Sequence, residues 1–218
     1  MDTLIEFFKT CIEYLFHFEV HLDYLITNYN FLTYFVLFLI IFVETGLIIM
    51  PFLPGDSLLF AVGAFCARGS LNLSVIIGSL ILAAFLGDTL NYFIGKLVGK
   101  KAFEMKNKVW LNQDHLLKAQ GFYEKYGAKT IIIARFIPIV RTFAPFVAGI
   151  GEMNYRRYML FNLVGGVLWV ASFVSLGYFF GNLPAVQKNF KVVILAIIVI
   201  SVLPAVIEFY RERRKQKA

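Results

Sequence analysis

The chain has 218 residues, 59% of them hydrophobic, with a mean hydropathy of +0.73 and a net charge of +7. Long apolar runs at this length exclude an ordinary soluble enzyme and describe a membrane protein built as one domain, residues 1–218. The basic residues sit between and after the apolar runs, so they read as topology signals and not as nucleic-acid contacts.

Residues 1–30 begin with an amphipathic stretch. Ile5, Phe8, Ile12, Leu15, Phe18, Leu22 and Leu25 recur at helical spacing, against a polar stripe of Glu6, Lys9, Glu13 and His17. Such a helix lies in the membrane interface more readily than it crosses it. Charges throughout the first 26 residues leave no clean apolar core for a cleavable signal peptide, so none is expected. Residues 31–67 are almost wholly apolar. As one helix they would reach about 55 Å, against a hydrocarbon core of about 30 Å. The chain must therefore break or turn, and PFLPGD, with Pro51, Pro54 and Gly55, is where the turning residues lie.

Residues 73–95 suit one transmembrane helix. Residues 96–129 form a basic loop with eight lysines and three acids. Within it, DHLLKAQGFYEKYG reads as a surface helix capped by Asp114 and stopped by Gly127. Residues 130–150 are apolar again but hold Arg135, Pro138, Arg141 and Pro145. Residues 158–181 and 192–209 suit two more spans, and 210–218 form a basic tail.

Lysine and arginine counts orient these segments. The tail holds five, the 96–129 loop eight and the Tyr155–Tyr158 region two, whereas residues 1–67 hold only Lys9. The basic regions are therefore expected in the cytoplasm, with the C-terminus, and the first 30 residues on the far side. Both flanks of 130–150 then share the cytoplasmic side, so this segment enters and returns. By the same count, 31–67 enters and returns from outside. A weak internal repeat agrees. Pro51–Gly63 parallels Pro138–Gly149, and each is followed by a glycine-bearing span, YFIGKLVG at 92–99 and GYFFG at 177–181. The expected fold is an all-α polytopic membrane protein. It is an inverted repeat with two re-entrant hairpins, about three full spans and an interfacial N-terminal helix.

Five ionisable groups fall in apolar segments: Glu44, Asp56, Asp88, Arg135 and Arg141. Each costs at least about 2.5–3.5 kcal/mol at the bilayer centre, so function is the default explanation. The simpler alternative is that acids and arginines pair to hold two hairpins together. It carries most weight for Asp88, which lies near one end of its span and reads as a solvated, secondary candidate. The others cluster with helix breaks, and irregular backbone at depth is tolerated only inside protein or beside water. Arg135 and Arg141 fit a phosphate or carboxylate in two-point fashion, and Glu44 and Asp56 suit proton coupling or gating. An anion carrier coupled to protons or to the membrane potential is the expected class.

An enzyme is not expected. His17, His21 and His115 lie outside the apolar segments, and no metal cluster, Ser–His pairing or phosphate-binding loop appears. Ser57 beside Asp56 does not make a nucleophile with its base. No cofactor or metal is implied. Cys11 and Cys66 lack metal spacing and read as isolated thiols, with a disulfide between them left open.

The runs FVETGLIIMPFLPGDSLLF, GDTLNYFIGKLVG and ARFIPIVRTFAPFVAG resemble the DedA family of bacterial inner-membrane proteins, which share a domain with autophagy-linked eukaryotic lipid scramblases. The likeness runs from about residue 15 to the basic tail. It implies an inner-membrane flippase, notably for return of undecaprenyl phosphate, dependent on the proton motive force and tied to envelope integrity and division. It also implies that Glu44, Asp56, Arg135 and Arg141 are the required acids and arginines. The alternatives are a proton-coupled small-ion antiporter and a scaffold for envelope or division machinery. Gly165, Gly166 and Gly177 read as helix-packing residues or as a lateral gap, and Trp169, Tyr92 and Tyr178 as packing or interface anchors.

Overall fold

In a computed structural model of the protein, the described residues are 30–47, 55–98, 120–121, 123–189 and 192–193. Nearly all of them are helical or lie in turns, with no strand among them. The α-helices with both ends described are α1 (Asn30–Gly46), α2 (Gly55–Ala67), α3 (Leu73–Val98), α4 (Thr130–Ala134), α5 (Pro138–Ile150), α6 (Tyr155–Gly181) and α7 (Pro184–Lys188), and a 3-10 turn spans Gly127–Lys129. Two of them, α3 and α6, are long and apolar enough to cross a membrane. The N-terminal amphipathic helix, Pro51, Pro54, Asp114, Cys11, the 192–209 span beyond Val193 and the basic tail lie outside the described residues.

Local chemistry accounts for the ends. The Asn154 side-chain oxygen accepts from the backbone N–H groups of Arg156 and Arg157 at 3.1 and 3.4 Å, so α6 starts at Tyr155, ahead of the expected residue 158. Gly69 takes a φ of 76° and donates its N–H to the Cys66 carbonyl, closing α2. Gly127 has a φ of 58°, and the helical residues 123–126 stop against it, as its sequence position indicates. Gly55 opens α2, with Asp56 in its first turn, where an acid complements the helix dipole. Pro138 opens α5 at a position that needs no N–H. Pro145, expected to break the second hairpin, instead lies inside α5. The break comes earlier, at Arg135–Ile137, where the turn N–H groups reach back three residues: Phe136 to Ile133 and Ile137 to Ala134. Pro145 lacks the N–H that would bond the Arg141 carbonyl, yet the helix runs through it to Ile150, so the loss is tolerated without a turn.

The chain divides into two compact units. One comprises Val36–Leu53 and Ser74–Ser172. Its core packs Ala134, Val140, Phe143, Phe146 and Ile150 against Ile94, Val98 and Tyr123. The other comprises Met1–Phe35, Pro54–Leu73 and Phe173–Ala218. There Phe60 and Phe180 meet with centroids 5.9 Å apart, and the Asn72 N–H donates to the Tyr34 hydroxyl at 2.9 Å.

Each unit contains the same helix crossing. A Cβ on Gly149 would stand 2.1 Å from the Tyr92 carbonyl oxygen, and one on Gly95 2.1 Å from that of Phe146. In the other unit, a Cβ on Gly63 would stand 2.1 Å from the Val174 oxygen, and one on Gly177 2.0 Å from that of Phe60. In both cases each glycine meets the carbonyl three residues ahead of its partner glycine. The backbones touch, so only glycine fits. The weak sequence repeat is thus matched by a shared contact register.

The burial pattern runs opposite to that of a soluble protein. Along α3, Leu82, Leu86, Leu90, Phe93 and Leu97 are exposed, while Asp88 and Asn91 on the same helix are buried. Along α6, Leu160, Leu163, Val167 and Leu168 are exposed, while Asn162 is buried. Large apolar side chains outside and polar ones inside suit a hydrocarbon solvent.

Candidate functional site: paired charges around Trp169

Two buried ion pairs lie in the unit formed by residues 36–53 and 74–172. Arg141, from the second turn of α5, donates through Nη2 to Glu44 Oε1 at 2.7 Å. Glu44 sits near the C-terminal end of α1. Arg135, at the break between α4 and α5, donates through Nη2 to Asp88 Oδ2 of α3 at 2.5 Å. The same nitrogen donates to the Asn162 side-chain oxygen on α6. Asn162 in turn donates to the Phe85 carbonyl at 3.1 Å, which fixes its orientation.

Trp169 joins the pairs. Its side chain is fully buried, and both guanidiniums lie against its ring, Arg141 at 4.9 Å and Arg135 at 5.8 Å from the centroid. Both distances are within cation–π reach, and guanidinium planes stack well on an indole. Gly165 gives Arg135 its place, and Gly166 lies at contact distance from it. A Cβ at 165 would come within 3.1 Å of Arg135 Cδ, and one at 166 would sit 3.6–3.9 Å from the guanidinium atoms. Gly165 therefore makes room for a charged side chain and also packs on backbone, since the same Cβ would stand 3.3 Å from Ile132 Cα, whereas a Cβ at 166 would meet Arg135 only at ordinary contact distance.

The backbone around the pairs is also clamped. Asn91 Nδ2 donates to the Thr45 and Thr142 carbonyls at 3.3 and 2.9 Å, one residue beyond Glu44 and one beyond Arg141. Gly87 lets α1 approach: a Cβ there would be 1.9 Å from Thr45 Oγ1. Tyr158 donates its hydroxyl to the Asp88 carbonyl at 2.7 Å, and its ring stacks on Tyr92 at 4.4 Å.

The structure therefore brings together Glu44, Asp88, Arg135 and Arg141. Asp56 belongs to the other unit, half-buried at the start of α2. The expectation that Asp88 is merely solvated is corrected: it is buried and bonded to Arg135. It lies well inside α3, because that helix runs on to Val98. Trp169, Asn91 and Asn162 have roles that sequence reasoning missed. A polar amide inside an apolar helix was the available signal for the two asparagines. Trp169 carried none, since a tryptophan in a span is ordinarily packing or an anchor. Tyr92 is core packing, as expected. Cys66 is a buried free thiol in α2. No group of three metal-ligating side chains occurs among the described residues.

Chemically, the site is an electrically balanced box of two cations and two anions inside apolar helices. Such a box can take an external anion onto an arginine if the displaced carboxylate takes a proton in the same exchange, so that no lone charge is left in low dielectric.

Comparison with known proteins gives the family. The VTT domain matches residues 53–179. Protein DedA of Escherichia coli (strain K12) is 50% identical over 205 residues, 93% of this chain and 94% of the relative. An uncharacterized membrane protein of Mycobacterium leprae (strain TN) is 42% identical over 177 residues, 81% and 79% of the two chains. Inner membrane protein YqjA of Escherichia coli (strain K12) is 38% identical over 155 residues, 71% and 70%. No solved structure matches this chain. Two of these relatives are named as membrane proteins, and with apolar outer faces and spans of sufficient length the chain is itself a membrane protein. A domain match over more than half the residues, joined to 50% identity along nearly the whole length, decides the family: the chain belongs to the DedA family.

Proposed function

We propose that this protein carries an anionic lipid across the bacterial inner membrane, with undecaprenyl phosphate as the substrate the family resemblance implies. The observation that carries the reading is the pair of buried arginines, each held by a carboxylate and both laid on Trp169. A polyprenyl phosphate has one anionic head and a long apolar tail. The head needs a small polar site within the bilayer, and the tail can stay in lipid beside the exposed faces of α3 and α6. In the resting state the carboxylates neutralise the arginines. When the phosphate arrives, Glu44 yields Arg141 and takes a proton, which keeps the site from accumulating negative charge. Asp56 gates from the start of α2, and the proton motive force supplies direction. In the same reading, segments 31–67 and 130–150 are re-entrant from opposite faces, and the C-terminus is cytoplasmic.

The test is reconstitution into liposomes carrying labelled undecaprenyl phosphate in one leaflet, with and without a pH gradient. The protein is expected to speed crossing, with a rate that depends on the gradient. Glu44→Gln should flatten the pH profile. Dissipation of the pH gradient without lipid crossing would replace this reading by ion antiport. Full function with Arg135→Lys and Arg141→Lys would replace it by a scaffold, because lysine keeps charge but loses two-point recognition.

A further inference from the structure

Arg135 is held by two acceptors on one nitrogen, and only one of them is charged. Nη2 donates to Asp88 Oδ2 of α3 and also to the Asn162 side-chain oxygen of α6. That oxygen is preset. Asn162 Nδ2 donates to the Phe85 carbonyl at 3.1 Å and to the Thr89 hydroxyl oxygen at 3.5 Å, while the Thr89 hydroxyl donates its own hydrogen to Phe85 at 2.7 Å. The amide nitrogen is thus committed to that side, and Oδ1 faces Arg135. The Trp169 ring adds a second uncharged contact to the guanidinium. Arg135 therefore keeps a neutral hold when Asp88 loses its charge. The charged and titratable groups around Asp88 are Arg135 from the α4–α5 break, Arg141 from α5, Tyr158 from α6 and Tyr123 from the helical residues 123–126, with Glu44 of α1 beyond Arg141. The tyrosine hydroxyls donate to backbone carbonyls, those of Asp88 and Ala144, so neither competes for the Asp88 carboxylate.

Charge balance adds the second half of the argument. The buried groups Glu44, Asp88, Arg135 and Arg141 together carry no net charge. A phosphate monoester approaches a dianion above neutral pH, since its second pKa is about 6. A proton on Glu44 offsets only half of that charge, and the remainder is costly in low dielectric. We propose that Asp88 is the second proton acceptor of the site, so that a phosphomonoester dianion enters with a proton on Glu44 and another on Asp88, while Asn162 keeps Arg135 in position. This rests on the anionic-lipid reading and adds its coupling: the site is neutral both empty and loaded. Asn162 is a positioning residue that acts through Arg135.

Proton uptake on binding reads this directly. The full-length protein in maltoside micelles is titrated with dodecyl phosphate at about pH 8, where the monoester is a dianion. Calorimetry in buffers of different ionisation enthalpy gives the protons taken up per ligand bound. About two are expected for the native sequence, and about one for Asp88→Asn and for Glu44→Gln. Asn162→Leu should also fall to about one, because Arg135 then lacks a neutral hydrogen-bond acceptor among the described residues and Asp88 stays ionised. A merely structural asparagine would leave the proton count unchanged. Uptake of about one by the native sequence, an unchanged count in Asp88→Asn or Asn162→Leu, or no saturable binding overturns the inference. Should Asp88→Asn not fold, infrared difference spectra decide instead, on protein labelled with 13C at its aspartate carboxyls and carrying Asp56→Asn. Dodecyl phosphate must then raise a protonated-carboxyl band that shows the isotope shift, and a band without the shift overturns the role of Asp88. In liposomes, lipid crossing coupled to about one proton would sink this inference and leave the transport reading standing. Binding with about two protons but without crossing would do the reverse.

Discussion

Arg135 and Asp88 show how much a single buried pair controls. Removing one member leaves a lone charge in low dielectric, which typically costs about 3–5 kcal/mol, whereas replacing both by apolar groups is often neutral. Asp88→Asn is therefore expected to lower the unfolding midpoint in micelles sharply. The double change Asp88→Leu with Arg135→Met should restore most of that stability while abolishing transport. A double variant no more stable than the single would show that the charge pair is not the source. Trp169 gives a second case. Trp169→Phe keeps an aromatic face and should cost less than Trp169→Leu, which loses the cation–π contact with both guanidiniums as well as ring volume. The difference should be of order 1–2 kcal/mol. Chemical unfolding of the two variants compares them directly, and equal stability would argue against stacking as the bond between the pairs.

At the scale of the helix, the glycine crossings set geometry. Gly149 and Gly95 hold α5 on α3, and Gly63 and Gly177 hold α2 on α6, each with backbone against backbone. A methyl group 2.0–2.1 Å from a carbonyl oxygen forces the helices apart. Gly149→Ala and Gly63→Ala are each expected to lose about 1–3 kcal/mol or more, as overpacking does. Gly78 lies in α3 with nothing within 4 Å of its Cβ position. Gly78→Ala should therefore be neutral or stabilising by up to about 1 kcal/mol through helix propensity. Melting the three variants in one detergent gives the ranking, and a ranking with Gly78→Ala lowest would contradict the crossing geometry. Because Gly149 follows Arg141 on α5, spreading that crossing should also impair transport in any Gly149→Ala protein that survives.

For the whole molecule, the decisive question is which side of the membrane each segment reaches. The proposed re-entrant course of 130–150 requires Lys129 and Arg156 to share one face. Both are exposed, which makes them suitable labelling sites. In a background lacking Cys11 and Cys66, Lys129→Cys and Arg156→Cys should both react with an impermeant thiol reagent only when it is admitted to the cytoplasmic side. Labelling from opposite sides would make 130–150 a crossing segment and reverse the proposed arrangement of the repeat.

The sequence alone determined the class. Long apolar runs require hydrocarbon around them, and Gly127, Gly55, Pro138 and the apolar stretches 73–95 and 158–181 marked helix ends and spans to within a few residues, because these signals act over one or two turns. The candidate charges could be named because an ionised group in an apolar run is anomalous wherever it stands. Pairing was not legible. Glu44 and Arg141 are 97 residues apart and Asp88 and Arg135 are 47 apart, and nothing local says which acid meets which arginine. Nor could Trp169 be told from an anchor, or Gly165 be known to face a charge as well as a helix backbone, until Arg135 was seen lying against both. Those assignments belong to the tertiary structure, since a contact between distant segments depends on how helices cross, and the crossing is set by backbone approach at glycines whose partners the linear order does not reveal.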